Sequence, residues 1–268
     1  MNHSLTASSP VSKRLSPRKM AFITGTLLLT STGFICRILG FFYRIFMSRT
    51  IGAEGLGIYN MVHPIFSICF AVCAGSIQTA LSQYVAANQT RGRAVFRTGL
   101  VIAMGMSFLL AWVIYGNAGF LAEKLLLEPR CAPYLPVMAV SVPFAALHAC
   151  INGYYYGMQK ARVPAFSQVA EQVIRMGAVF LIASIWLESG RQITVSLAVY
   201  GHLIGEMASA VFTVFCLGFF PPCKDGDSRR APAIPLSFGA TAAPLMALAL
   251  PLMGNRSEEH TSELQSHA

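Results

Sequence analysis

Two arginines inside an apolar segment are the first residues of this sequence that could do chemistry. Arg37 and Arg44 lie in the run from Gly33 to Asn60, GFICRILGFFYRIFMSRTIGAEGLGIYN, which ends in a glycine-rich break. At about 100° per residue, their spacing places both side chains on nearly the same helix face. Charge inside hydrocarbon is costly, so we expect Arg37 to face a polar cavity or partner. Arg44 lies nearer the helix end and could instead reach the headgroups.

A second set of charged residues lies further along the chain, again inside apolar segments. Glu171 and Arg175 are four residues apart, so they share a helix face and can neutralise each other. The pair is either a buried ion pair that fixes helix packing or part of the polar wall of a substrate path. Glu206 has Arg37, Arg44 or Arg175 as its possible partners, or else it carries a proton. It is therefore a candidate for ion coupling or a plain bridge between helices.

Three histidines, His63, His148 and His202, also lie in apolar segments and could relay protons or simply bond across helices. Signatures of hydrolytic and nucleotide-dependent enzymes are missing, including H-E-x-x-H, the P-loop and G-x-S-x-G. The seven cysteines contain no C-x-x-C pair. We therefore expect no enzyme activity, no cofactor and no metal.

Composition shows what kind of element must position these residues. The chain has 268 residues, of which 54% are hydrophobic and only 12% are charged. A soluble domain has about 25% charged residues, so this composition is that of a membrane protein. The net charge of +9 does not indicate nucleic-acid binding, because the basic residues sit in short loops between apolar blocks.

The apolar blocks predict an all-α polytopic membrane protein. Six blocks, each near or above the roughly 20 residues that a span needs, run over 20–48, 57–87, 95–118, 133–157, 164–187 and 193–220. The predicted organisation is a basic cytoplasmic tail, a six-helix lobe, a cytoplasmic loop, the start of a seventh helix and a polar tail, at 1–19, 20–220, 221–236, 237–255 and 256–268.

Basic residues alternate from loop to loop. Twelve Lys and Arg residues lie in the tail and in every second loop, against four in the intervening loops. The positive-inside rule then places the N-terminus in the cytoplasm. Two small-xxx-small patterns, Gly153 to Gly157 and Gly201 to Gly205, predict close approach between helices.

The polar tail interrupts the seventh block just after it has begun. Its run RSEEHTSELQSH, from Arg256 to His267, resembles the translation of a sequencing-library adaptor. We therefore expect residues 256–268 to be non-native and the natural protein to continue beyond Asn255.

Two longer segments carry a resemblance to a known family. The runs RILGFFYRIFMSRTIGAEGLGIYNMVHPIF and GYYYGMQKARVPAFSQVAEQVIRM resemble the oligosaccharide-flippase group of the multidrug/oligosaccharidyl-lipid/polysaccharide exporter superfamily. The resemblance covers about residues 20–255 and implies a fold of two six-helix lobes around a central cavity. This chain would supply the first lobe, and its missing partner would be the C-terminal lobe of the same protein. In the related murein lipid II flippases the second arginine comes six residues after the first, whereas Tyr43 stands there in this chain and Arg44 follows it.

The resemblance implies flipping of a lipid-linked saccharide of the undecaprenyl type across the bacterial plasma membrane by alternating access, with a role in spore envelope synthesis. Arg37, Arg44 and Arg175 would attract the phosphates of the substrate, because guanidinium matches phosphate geometry. Glu171 and Glu206 would tune that charge, or Glu206 would bind a coupling ion.

Two alternatives stay open at the level of sequence. A cation-coupled multidrug exporter of the same fold would need a net acidic cavity, whereas three arginines and two glutamates lie in these apolar segments. A membrane scaffold without transport activity would not need buried charges at all.

Overall fold

A computed structural model describes residues 17–222 and 238–266, and within these ranges the chain is helical and contains no β-strand. Within these described ranges, five helical segments are long and apolar enough to cross a membrane. The predicted all-α polytopic membrane fold is thereby confirmed. The helices are α1 (Pro17–Phe70), α2 (Ser76–Ala87), α3 (Gly92–Gly116), α4 (Ala118–Phe120), α5 (Leu135–Gly157), α6 (Arg162–Glu188), α7 (Ser196–Phe219) and α8 (Phe238–Ser266).

Some predictions fall outside the described residues. These are the conformation of the basic tail over residues 1–16 and that of the loop beyond residue 222, which includes Cys223. The predicted domain boundaries stay predictions.

The longest apolar segment, Ile23–Ala87, is 65 residues long, which is enough for more than one crossing. It contains α1, a π-helical turn over Ala71–Gly75 and α2. A kink at Gly52 divides α1, where φ is 75° and ψ is 172°. Glycine adopts this conformation readily because it has no Cβ. The break predicted from the glycine-rich sequence therefore falls at Gly52.

Helix α5 lies at the centre of the main core, with α2, α3 and α7 around it. Its two spaced glycines allow α2 to approach closely. A Cβ added to Gly153 would lie 2.8 Å from the backbone oxygen of Gln78, and one added to Gly157 would lie 2.6 Å from Cβ of Val85. The close packing predicted from this small-xxx-small pattern is confirmed.

A second, smaller core joins α1, α6 and α7. Its buried members are Met47, Val179, Ala183, Leu197 and Ala198. The second glycine pattern makes this contact possible, since a Cβ on Gly201 would overlap the side chain of Val179. The predicted close approach is confirmed here too, and it brings α6 and α7 together along the residues that carry charge.

Loops that are poor in basic residues meet at one end of the bundle. Arg130, from the segment between α3 and α5, forms an ion pair with Glu54, which follows the kink in α1. A Cβ on Gly55 would lie 3.5 Å from Cγ2 of Val195, just before α7. The segments after the kink, before α5 and before α7 are therefore neighbours.

Loops that are rich in basic residues meet at the other end. The hydroxyl of Tyr155, near the end of α5, donates to the backbone oxygen of Phe220 at 2.9 Å. A Cβ on Gly25 would lie 3.6 Å from Cβ of Ala161, so the start of α1 reaches this end as well. The two classes of loop thus occupy opposite ends, which is what the alternation of charge requires.

Helix α8 packs on α2 and α3 through Leu245 and Ala249, which are fully buried. Its apolar part, Thr241–Gly254, is shorter than the roughly 20 residues of a span. The helix itself continues past Asn255 to Ser266.

Candidate functional site

A charged cluster lies where α6 packs on α7, with Glu206 buried and Glu171 and Arg175 half-buried. Arg175 forms an ion pair with Glu171 one turn away on α6. Its Nη2 atom also lies 3.9 Å from Oε1 of Glu206 on α7. Of the three arginines that the sequence offered as partners for Glu206, the structure therefore brings Arg175 to it. The guanidinium of Arg175 therefore lies within ion-pair distance of two carboxylates, those of Glu171 and Glu206.

Two histidines complete the surroundings of Glu206. Nδ1 of His148 on α5 lies 3.4 Å from Oε2 of Glu206, and Nε2 of His202 lies 3.9 Å from Oε1. Glu206 is 5% exposed, His148 8% and His202 1%. The ring of His202 stands edge-on to Phe66, with centroids 4.4 Å apart, and to His63, at 5.3 Å. Three helices and the second half of α1 thus enclose a single carboxylate.

Small residues create the space for Arg175. A Cβ on Gly205 would lie 2.7 Å from Nε of Arg175, so a larger residue there would displace the guanidinium. Ser167 lies one turn before Glu171 on α6, Ser209 lies one turn after Gly205 on α7, and their hydroxyls are hydrogen-bonded at 2.9 Å. These contacts fix the separation of α6 and α7 at the depth of the charges.

Arg37 and Arg44 lie elsewhere, on the exposed side of α1. Among the described residues, neither has an acidic group within ion-pair distance. Arg37 flanks the contact between α1 and α6, where the Sγ atom of Cys36 lies 3.7 Å from the backbone oxygen of Gln168. Arg37 thus directly follows a residue that contacts α6 about one turn before Glu171, but its own side chain is exposed.

Arg44 lines a cavity of about 340 Å³ beside the kink in α1. Ser48 and Arg49 line the same cavity, together with Phe41, Ile45 and Leu56. Two guanidinium groups and a hydroxyl are suitable donors for an anion such as a phosphate. Arg49 is one of the four Lys and Arg residues of the less basic loops, and the structure places it beside Arg44 at this cavity.

A third group of charges lies outside the apolar segments. Glu128 accepts a hydrogen bond from Nε of Arg130 at 2.8 Å, and Arg130 also pairs with Glu54. The hydrogen bonds from the Arg130 side chain and backbone lower the pKa of Glu128 to about 2. The same interactions raise the pKa of Arg130. This group ties the segment before α5 to the segment after the Gly52 kink.

The structure brings together only part of the predicted site. Glu171, Arg175 and Glu206 form one cluster, whereas Arg37 and Arg44 lie on an exposed face. The place of His202 was readable from its spacing of four residues before Glu206. The place of His148 was not, because it depends on how α5 packs against α7.

Comparison with known proteins assigns the chain to a family. The family described as "Polysaccharide biosynthesis protein" matches residues 22–257. The chain is 30% identical over 244 residues to "Stage V sporulation protein B" of Bacillus subtilis (strain 168), covering 89% of this chain and 46% of that protein. It is 23% identical over 206 residues to "Lipid II flippase MurJ" of the same organism, covering 70% and 38%.

A further relative is "Sporulation protein YkvU" of Bacillus subtilis (strain 168), 18% identical over 192 residues, with coverage of 71% of this chain and 42% of the relative. The chain thus spans less than half the length of each of these curated relatives. The family match takes in α2 to α7 and nearly all of α1, so both the bundle and its charged residues lie within it. The chain is a multi-pass membrane protein that belongs to the polysaccharide biosynthesis protein family.

Proposed function

We propose that the protein to which this chain belongs flips a lipid-linked saccharide across the bacterial plasma membrane by alternating access. The observation that carries the proposal is the exposed face of α1, where Arg37 and Arg44 have no acidic partner among the described residues. Unpaired arginines at this depth are costly in hydrocarbon, so they suit a face that lines a polar path. The names of two relatives, a lipid II flippase and a sporulation protein, support a carrier of envelope precursors.

In this proposal Arg37 and Arg44 bind the phosphates that link the saccharide to an undecaprenyl-type lipid. Arg49 joins them at the cavity beside the kink. Arg175 and Glu171 form the polar wall behind this face, and Glu206 is the site of ion coupling. The C-terminal lobe of the same protein closes the path from the other side.

The remaining parts of the proposal concern the cell. The N-terminus is cytoplasmic, because the loops that share its end of the bundle are the basic ones. The protein acts in spore cortex or envelope synthesis. It is a carrier rather than an enzyme, it uses no cofactor or metal, and it does not bind nucleic acid.

One observation favours a second function, a cation-coupled multidrug exporter of the same fold. The charged cluster holds two carboxylates, Glu171 and Glu206, against one guanidinium, Arg175. A net acidic interior suits a cationic ligand. The two functions differ in the charge of what they bind, so a binding experiment separates them.

The experiment uses the purified chain in lipid nanodiscs and measures binding of an undecaprenyl-pyrophosphate-linked saccharide against a cationic dye. Loss of a hydrogen bond to a charged group costs about 1.5–3 kcal/mol, which weakens binding by roughly 10- to 100-fold. We expect that loss for Arg37→Ala, and a smaller one for Arg44→Ala.

Arg191→Ala is the matched control, because Arg191 is an exposed arginine in the loop before α7. It should bind the saccharide lipid like the parent chain. Preference for the dye would overturn the proposal in favour of the multidrug exporter. Equal binding of the saccharide lipid by the Arg37→Ala variant and the parent would overturn the proposal without supporting the exporter.

A further inference from the structure

The charged cluster around Glu206, in which Glu206 is buried and Glu171 and Arg175 are half-buried, is not balanced in charge. Glu171 and Glu206 carry two negative charges when both are ionised, and Arg175 carries one positive charge. With neutral imidazoles at His148 and His202, one negative charge is left at membrane depth. A buried net charge is expensive unless something neutralises it, so the cluster requires one further positive charge.

The cluster also has unused hydrogen-bonding atoms that face one another. Among the described residues, Oε2 of Glu206, Nδ1 of His148 and both ring nitrogens of His202 are buried and have no hydrogen-bond partner. Averaged over the whole residue, Glu206, His148 and His202 are each more than nine-tenths buried. Buried polar atoms are nearly always satisfied, so several such atoms around one carboxylate indicate a small ligand held between them.

We propose that this cluster is an exchangeable-proton site, in which Glu206 holds one proton between His148 and His202. Its use in coupling rests on the function proposed above, but the site itself does not. A proton supplies the missing positive charge. It also converts the carboxylate into a carboxyl group, whose hydroxyl can donate a hydrogen bond to Nδ1 of His148. The distance of 3.4 Å between Oε2 and Nδ1 needs only a small adjustment to become a hydrogen bond.

The proton can reach Glu206 by a route that starts at His63, on the second half of α1, and passes through His202. His63 is half-buried, and its ring lies 5.3 Å from that of His202, centroid to centroid. Nε2 of His202 lies 3.9 Å from Oε1 of Glu206. In the last step the N–H bond of a protonated His202 breaks, an O–H bond forms at Oε1 of Glu206, and His202 returns to its neutral form. Rotation of the carboxyl group then brings this hydroxyl to Nδ1 of His148. No oxidant or other reactant is required.

The donor set favours a proton over a metal ion. One ligand atom each from His148, Glu171 and Glu206 lie within 4.8 Å of one another, a spacing that a cation could bridge. The guanidinium of Arg175, however, contacts both carboxylates and would repel a metal there. Sodium and similar hard ions also need several oxygen ligands. Imidazoles beside a carboxylate are proton acceptors.

Every helix packed against Glu206 contributes a group that would respond to the proton. These groups are Tyr43, Tyr59 and His63 from α1, His148 from α5, Glu171 and Arg175 from α6, and His202 from α7 itself. Arg175 is the fixed charge among them. When Glu206 loses its proton, Arg175 is drawn away from Glu171, and the wall next to Arg37 changes. Proton exchange at Glu206 would in this way alter the face of α1 that carries Arg37 and Arg44.

The test is infrared spectroscopy of the purified chain in nanodiscs, which detects the carbonyl band of a protonated carboxyl and its shift in D2O. We expect the band at neutral pH in the parent chain and its loss in Glu206→Gln. Glu171→Gln should lose it as well, because Arg175 is then free to neutralise Glu206. Glu188→Gln, at the exposed end of α6, is the matched control and should keep the band.

A second measurement concerns the route, and it does not depend on a Glu206 variant that folds. His202→Leu should slow the D2O shift of the band in an otherwise protonated site. The proposal is overturned if the parent chain shows no such band, or if Glu206→Gln retains it. It is also overturned if sodium, but not choline, raises the melting temperature of the parent and not of Glu206→Gln. Failure of saccharide binding with the band present would refute the flippase function and leave the proton site standing.

Discussion

Arg175 reaches Glu206 because Gly205 has no side chain. A Cβ at Gly205 would lie 2.7 Å from Nε of Arg175 and 3.2 Å from its Cβ. Arg175 cannot yield freely, because Glu171 and Glu206 hold its guanidinium on two sides. The charged cluster thus depends on the space that Gly205 leaves for Arg175, as well as on the charged residues themselves.

We therefore expect Gly205→Ala to destabilise the protein by about 1–3 kcal/mol, the usual cost of overpacking. The measurement is the unfolding transition in detergent, followed by circular dichroism. Gly218→Ala on the same helix is the control, since a Cβ there meets no atom within 4 Å. It should be neutral or slightly stabilising, because alanine is the better helix former. Equal behaviour of the two variants would contradict the packing described here.

The hydrogen bond between Glu128 and Arg130 is predicted to depend on pH. Its pKa is about 2, lowered from 4.5 chiefly by the hydrogen bond from the side chain of Arg130. A lowered pKa means that the interaction is fully present above the ordinary value and is lost as pH falls through about 2. Because Arg130 is exposed and Glu128 is only half-buried, the effect on global stability is small.

The expected result is local and is measured by NMR of the Arg130 guanidinium. Its Nε–H resonance should stay protected between about pH 7 and pH 5 and exchange freely only as Glu128 is protonated. Glu128→Gln should remove the protection throughout that range, and Glu188→Gln should not. Loss of protection already near the ordinary carboxyl pKa would show that the hydrogen bond from Arg130 does not form.

Among the elements, α1 depends most on one residue. Gly52 has φ of 75° and ψ of 172°, a conformation that costs other residues about 1–3 kcal/mol. Gly52→Ala should therefore either lower stability by that amount or straighten α1. Gly57→Ala is the control, because Gly57 is helical, has a negative φ and has open space around it.

Two measurements follow this change. The unfolding transition reports the strain, and the distance between spin labels at the exposed positions Ile38 and Met61 reports the angle between the two halves of α1. A Gly52→Ala variant that matches Gly57→Ala in both would show that the kink does not need glycine.

The elements were predictable from the sequence to the extent that local patterns specify them. Apolar runs locate the helices, Gly52 breaks α1, and the spaced glycines of α5 and α7 mark close contacts. The i,i+4 spacing of Glu171 and Arg175 predicted their ion pair. The position of His148 beside Glu206 was not predictable, because residues on α5 and α7 meet only through tertiary packing. The same holds for α8, whose contact with α2 and α3 has no local signature.

For the whole molecule, the division of the bundle into two ends is the feature with the widest consequences. Arg130 and Glu54 meet at one end, and Tyr155 and Phe220 meet at the other. The basic loops over 88–97 and 158–163 belong to the second end. Since basic loops face the cytoplasm, this end is expected to be the inner one.

Cysteine labelling of the expressed chain in intact cells tests this orientation. Glu123, Gln89 and Lys160 are all exposed, the first at the end with few basic residues and the other two at the basic end. We expect Glu123→Cys to react with a membrane-impermeant maleimide in intact cells. Gln89→Cys and Lys160→Cys should react only after the cells are opened, because the membrane lies between them and the reagent.

The parent chain is the control for background labelling. Its described cysteines are buried except Cys36, which is half-buried and lies within α1. Reversed labelling of all three variants would be compatible with the same bundle and would invert the proposed orientation. Labelling of Gln89→Cys and Lys160→Cys from different sides of the membrane would contradict the fold as well as the orientation. These two loops share one end of the bundle because a Cβ on Gly92 would lie 3.6 Å from Sδ of Met158, so that outcome would contradict the packing of α3 against α5.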